Sequence, residues 1–422
     1  MSDHRVTIVG GGFAGLYAAR SLGRAPVKVS VVDRRNFHLF QPLLYQVATG
    51  ALSPGEIASP LRYVLRKQRN TEVLLGEAID FDITARHVIL RDGEVPYDTL
   101  IVATGATHHY FGHDEWAAVA PGLKTIENAT EIRRRVLVAF EEAEREHDPE
   151  RRHAWLTFLI VGGGPTGVEL AGALGEIAND TLKHDFRHIN PAESRILLIE
   201  GEDRLLPFFP ADLSSKAERQ LMELGVRSRL KARVVGVDAD GATIEANGKT
   251  ERIAARTVLW AAGVRASSLG KKLAERTDAQ LDRAGRLIVE PDLTLQEHPE
   301  IFVIGDLSIA LGRNGKPLPG LAPVAMQEGR YVARTIVKRL RGETVDPFRY
   351  FDKGTLATIG RNKAVAKFGK LHVWGFLAWF LWVFVHLMYL VEFENRLLVL
   401  VEWVYNYITR NRGARLITKG SS

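Results

Sequence analysis

Two loops of the form G-x-G-x-x-G, Gly10-Gly11-Gly12-Phe13-Ala14-Gly15 and Gly162-Gly163-Gly164-Pro165-Thr166-Gly167, lie about 150 residues apart in a chain of 422. Each follows a short apolar run and precedes a helical stretch. One such loop is weak evidence, because glycine-rich turns are common. Two in the same strand–turn–helix context restrict the chain to an α/β fold with two Rossmann-like units, each built to hold a dinucleotide. Two dinucleotides held face to face are the layout for passing a hydride from one cofactor to another.

The first loop reads residue by residue. Arg5 to Val9 is a β-branched run suited to a central parallel strand. Gly10 permits the tight turn, Gly12 lets the backbone approach a pyrophosphate, and Gly15 lets the helix pack on the strand. Phe13 and Ala14 lead into a helix from about Gly15 to Leu22, whose free N–H groups and positive dipole end face the phosphates. The next strand, Val27 to Val32, ends in Asp33, 23 residues after Gly10 and placed to accept from a ribose hydroxyl. Leu100 to Val102 then runs into the small-residue turn Ala103-Thr104-Gly105, which permits close backbone approach to a cofactor.

The second loop repeats the plan. Trp155 to Val161 is the strand, Gly162, Gly164 and Gly167 are the three glycines, and Val168 to about His184 reads as a helix. The following strand, Arg195 to Ile199, ends in Glu200. A carboxylate there binds a 2′-hydroxyl and repels a 2′-phosphate, which predicts NADH over NADPH, although nearby Arg204 is a residue that accepts a phosphate. Thr257 to Gly263 echoes the strand and small turn of the first unit. Glu169 follows the third glycine by two, on the first turn of its helix, where it either relays a proton or complements the helix dipole. These signals divide the chain into residues 1–150 and 282–350 for the first dinucleotide unit, 151–281 for a second unit nested in it, and 351–422 for a C-terminal region. The polar stretch His147 to His153 serves as the crossing. In the returning segment, Ile301 to Ile304 leads to Gly305-Asp306, at a strand's carboxyl end where ligands bind in open α/β sheets.

Composition removes one branch of chemistry. The chain has no cysteine, so thiolate relays, disulfide exchange and cysteine-ligated iron–sulfur clusters are excluded. His108, His109 and His113 form a loose group, but no histidine spacing matches a metal site, and none is expected. His38 and His386 read as structural histidines. No apolar leader precedes the first strand, so no secretory signal is expected.

From Trp374 to Val391 every residue but Gly375 and His386 is apolar, with three tryptophans. Tryptophan and tyrosine favour the water–lipid interface, so this segment is expected to lie in, or partly enter, a membrane surface. A single span and a soluble core or dimer helix are the alternatives. From Arg361 to the end there are nine Lys/Arg and three Asp/Glu, equal to the whole chain's surplus of +6. Arg410, Arg412, Arg415 and Lys419 are expected to meet anionic headgroups. The neighbouring Trp, Leu and Val make nucleic acid the wrong partner.

Together, these residues resemble the type II, non-proton-pumping NADH:quinone oxidoreductases. The resemblance runs over nearly the whole chain: the Gly10 loop with Asp33, Phe40 to Gly50 (FQPLLYQVATG), Ala103-Thr104-Gly105, Gly162 to Gly172, Ala261-Ala262-Gly263, Gly305-Asp306, Ala325 to Gly329, and the tail ending in Arg-Gly-Ala-Arg-Leu-Ile. The Phe40 run and the tail are the specific parts. The resemblance implies non-covalent FAD in the first unit, bound by the Gly10 loop, Asp33, Ala103 to Gly105, Asp306, Ala325 and Gln327. It implies NADH in the second unit, at Gly162, Gly164, Gly167, Glu169, Glu200 and Gly263, and a quinone reached from the membrane side past Gln41, Tyr45, Gln46 and Gln327. Glu169 and Gln327 are the catalytic candidates: Glu169 near the nicotinamide–flavin junction, and Gln327 orienting a quinone carbonyl. It further implies a homodimer on membrane lipid at the cytoplasmic face of the inner membrane. An NADH-dependent reductase of a soluble carrier such as ferredoxin or rubredoxin shares both loops but has no use for the tail. A redox-sensing NADH/FAD-binding protein is the alternative of another class.

Overall fold

The computed structural model describes residues 4–313, 315–391 and 393–417, without the side chains of 393 and 394. Its contacts divide the chain into two units: Met1–Leu39, Ala58–Thr107 and Val264–Asp352 in one, and Phe40–Ile57, His108–Gly263 and Lys353–Ser422 in the other.

The first unit is built on a sheet ordered Thr71–Leu75, Lys28–Asp33, Arg5–Val9, Thr99–Val102, His298–Val303, all parallel, with Thr294–Leu295 antiparallel at the edge. Arg5–Val9 has four of five residues buried, as a strand covered on both faces must. Helices Phe13–Leu22 and Ala322–Leu340 pack together so closely that a β-carbon on Gly329 would sit 2.3 Å from the Ala14 carbonyl. An antiparallel meander, Ala78–Asp82, His87–Leu90 and Gly93–Pro96, completes the unit with the helix Ser268–Thr277.

The second unit repeats the parallel core in the order Val226–Arg229, Arg195–Ile199, Thr157–Val161, Thr257–Trp260. Its own meander is Ala232–Asp238, Gly241–Ala246 and Lys249–Ala254. The stretch expected as a polar crossing forms the helix Pro149–Trp155, because Asp148 caps the N–H groups of Glu150 and Arg151 and Pro149 opens the first turn. The second Rossmann helix is shorter than expected, Pro165–Glu176, and ends in a π-turn, Ile177–Thr181.

The tail is not helical throughout. It begins with an antiparallel sheet, Thr355–Gly360, Lys363–Phe368 and Leu371–Trp374, before the helices Phe376–Tyr389 and Phe393–Thr409. Gly172 is what lets this sheet reach the Rossmann helix: a β-carbon there would lie 1.7 Å from the Ile359 carbonyl. The apolar helix has 14 residues, about 21 Å at 1.5 Å per residue against about 30 Å of bilayer hydrocarbon. No described helix is long and apolar enough to cross a membrane.

Candidate functional site

The two glycine loops take nearly identical backbone shapes within their separate units. Gly10 and Gly162 have φ of +107° and +108°, which only glycine adopts without strain. A β-carbon on Gly15 or Gly167 would fall 1.8 Å from the carbonyl of Gly10 or Gly162. Above Gly12 and Gly164, by contrast, an added β-carbon meets nothing within 4 Å, which leaves the cradle a pyrophosphate needs. The acidic partners are equally matched. Asp33 accepts from the Gly11 N–H at 2.6 Å, and Glu200 accepts from the Gly163 N–H at 2.5 Å. Each carboxylate therefore stiffens its loop as well as ending its strand. Arg204 is turned to the Pro207 carbonyl at 3.1 Å.

Around the first loop, Ala103 is buried and Gly105 turns at φ +67°, with Gly263 matching it in the second unit. Thr104 Oγ1 is buried with no partner, so the turn holds a hydroxyl ready for a ligand. Phe13 stands edge-on to His38 at 5.0 Å. His38 is fully buried, its Nδ1 is 3.0 Å from the Gly11 carbonyl, and burial pushes its pKa down to about 4. The neutral ring donates Nδ1–H to Gly11 and braces the loop. Asp306 sits at the carboxyl end of its strand beside Gly320, and Ala325 is buried on the following helix. Glu328, missed in the sequence, accepts from the Gly305 N–H at 2.6 Å, and burial lifts its carboxyl to about 7. Gln327 exchanges two 3.0 Å hydrogen bonds with the backbone of Phe351, leaving one N–H and one lone pair for another partner.

A separate cavity of about 110 Å³ opens within the second unit. Tyr45 and Gln46 reach it from the helix Leu44–Ala48, Glu169 from the Rossmann helix, Thr358 from the tail sheet, and Trp382 and Trp403 from the tail helices. The exposed Gln41 is not among its lining residues. Glu169 lies beyond the first helical turn, which holds no acidic residue, so the dipole reading loses its geometry. Its side chain keeps some solvent contact through the cavity, yet burial lifts its carboxyl to about 8, a bond with the Thr358 backbone pulling the other way. At neutral pH Glu169 is a carboxylic acid with a proton to give. A raised carboxyl favours the fold most below its ordinary value of about 4.5, and that contribution is lost as pH rises through about 8. Turnover limited by proton delivery should therefore fall on the alkaline side near pH 8, and Glu169→Gln should remove that limb while slowing the plateau. A variant profile identical to the parent would end the relay role.

Three of the tail arginines pair with acids of their own unit. Arg412 is buried and pairs with Glu176 at 2.7 Å, Arg410 pairs with Asp180 at 3.2 Å, and Arg415 pairs with Asp185 at 2.5 Å. They clip the tail onto acids of the Rossmann helix, its π-turn and the segment after it. Lys419 lies outside the described residues. No cluster of three or more His, Asp or Glu among the described residues is placed to hold a metal.

The chain matches the pyridine nucleotide-disulphide oxidoreductase family model over residues 4–329 and the NDH2 C-terminal domain over residues 353–411. It belongs to the type II NADH:quinone oxidoreductase family. The type II NADH:quinone oxidoreductase Ndh of Mycobacterium tuberculosis is 47% identical over 98% of this chain and 90% of its own length. NdhA of the same organism is also 47% identical, over 98% of this chain and 89% of its own. NDH2 of Plasmodium falciparum, solved in complex with NADH, superposes with a TM-score of 0.90 at 21% identity, covering 99% of this chain and 100% of that one. The α/β dinucleotide-binding architecture and the helix-bearing tail are thus family properties. The disulfide in the broader family's description has no counterpart in a chain without cysteine.

Proposed function

We propose that this chain oxidises NADH through a non-covalently bound FAD and passes two electrons to a membrane quinone without pumping protons. The carrying observation is the cavity shared by Tyr45, Gln46 and Glu169, which combines aromatic walls with polar groups suited to a quinone head. FAD, when bound, supplies the two-electron exchange between nicotinamide and quinone. The residues fit it: the open cradle over Gly12, Asp33 at the strand end and the orphaned Thr104 hydroxyl. In this reading FAD belongs to residues 1–150 and 282–350, NADH to residues 151–281, and residues 351–422 face the membrane. Glu200 selects NADH, Glu169 holds a proton for the reduced acceptor, and Gln327 with Ala325 lines the flavin's quinone side.

The membrane contact rests on an exposed apolar face. Phe376, Phe380, Phe384 and Met388 recur every fourth residue of the helix Phe376–Tyr389, and each is between 51% and 58% exposed. Val401, Val404 and Ile408 continue it on the next helix. An uncovered stripe of this kind favours lying in the plane of a bilayer at its cytoplasmic face, where NADH is available. Replacing both Phe380 and Phe384 with Glu should lower liposome partitioning more than about tenfold while leaving NADH oxidation with a water-soluble quinone intact. If the pair of charges instead splits a dimer and spares liposome binding, a second copy covers this face.

A further inference from the structure

Tyr45, Gln46 and Trp403 form a hydrogen-bonded chain whose direction is settled at one end. Trp403 Nε1 donates to Gln46 Oε1 at 2.7 Å, and Gln46 Nε2 donates to the Tyr45 hydroxyl oxygen at 2.9 Å. An indole N–H is only ever a donor. It therefore dictates which end of the Gln46 amide is oxygen, and the NH2 group must face Tyr45. The phenol oxygen is then an acceptor for Gln46, and its own proton has to point elsewhere. Among the described residues no acceptor takes it. Tyr45 and Gln46 are each 8% exposed, so water does not freely reorient this chain.

We propose that Trp403 is a positioning residue for the acceptor: through Gln46 it aims the Tyr45 O–H into the cavity, where that hydrogen bond is donated to a quinone carbonyl oxygen. This rests on the cavity being the quinone site. Burial first, and Glu169 second once it ionises at alkaline pH, hold the phenol well above its ordinary range, so Tyr45 stays a donor throughout the working pH range. The arrangement gives the tail a part in acceptor recognition that 357 residues of sequence separation conceal.

The test is a double-mutant cycle on the FAD-loaded full chain, read as the KM for a ubiquinone analogue against the KM for NADH. Trp403→Phe keeps the ring and removes the donor. It should raise the quinone KM about tenfold, the worth of one directed hydrogen bond, with the NADH KM unmoved. Trp403→His, which retains an N–H, should recover part of that loss. Tyr45→Phe should cost at least as much, and Trp403→Phe added to it should cost nothing more, because the indole acts only through the phenol. A Trp403 effect that persists undiminished in the Tyr45→Phe background overturns the relay but leaves the quinone site standing. A Tyr45→Phe enzyme with an unchanged quinone KM overturns both.

Discussion

Gly167→Ala is expected to abolish NADH-driven turnover while FAD content stays normal. The added methyl would lie 1.8 Å from the Gly162 carbonyl, well inside any allowed contact, and the neighbour is backbone that cannot swing away. The turn must open, so the N–H groups that should meet the pyrophosphate are lost together. NADH affinity should fall at least about a hundredfold, near 3 kcal/mol. The twin glycine, Gly15, meets the same 1.8 Å contact in the first unit, so the same exchange there should empty the flavin instead. Flavin absorbance and the rate of flavin reduction by NADH separate the two. Glu200→Gln is the companion control: an amide oxygen can still hold the Gly163 N–H, so the loop survives and only the preference for NADH over NADPH erodes. A Gly167→Ala enzyme with the parental NADH KM would remove NADH from this loop.

Arg412→Ala should be the most damaging change in the tail. The Arg412 side chain is 9% exposed and its partner Glu176 is 16% exposed, and Arg412 also donates to the Thr49 carbonyl at 3.2 Å. Removing one member of a buried pair leaves the other charge uncompensated, at about 3 kcal/mol or more. Arg410 makes a similar contact with Asp180 but is 65% exposed, so Arg410→Ala should cost under about 1 kcal/mol. The loss at 412 should extend beyond stability. The segment that Arg412 anchors runs across Gly50, where the Ala414 N–H donates to the Gly50 carbonyl at 3.1 Å. Tyr45 and Gln46 lie just before it in the same short stretch. Limited proteolysis of the tail and the quinone KM should therefore both rise, and Arg412→Lys should restore the charge without the two-pronged contact. Equal melting curves for the alanine variants at 410 and 412 would refute this ranking.

Much of the fold was legible because it is local. Each apolar strand runs directly into its glycine turn and helix start, and the physical demand is stereochemical: φ near +107°, or a 1.8 Å gap that only hydrogen fills. Asp33 was readable from its spacing after Gly10, and Glu200 from its place at the end of the strand that follows the second loop. What local pattern could not supply was whatever depends on distant segments. Glu328 looked like an ordinary helical glutamate until Gly305 was placed over it. The tail sheet was hidden because its strands are only four to six residues long and the middle one carries Lys363 and Lys367. The pairing of Arg410, Arg412 and Arg415 was hidden because the acids they meet stand 230 or more positions earlier.

The sequence by itself determined two dinucleotide folds, the acid at the end of each strand, the absence of thiol chemistry and an apolar tail, because those follow from single residues and their near neighbours. Only the tertiary structure decided what the tail does to the rest. It brought Trp403 to Gln46, Arg412 to Glu176 and Thr358 to Glu169, since desolvation and hydrogen bonding depend on which surfaces meet in space. Burial, not residue type, lifted the Glu169 carboxyl toward 8, so that it keeps its proton at neutral pH.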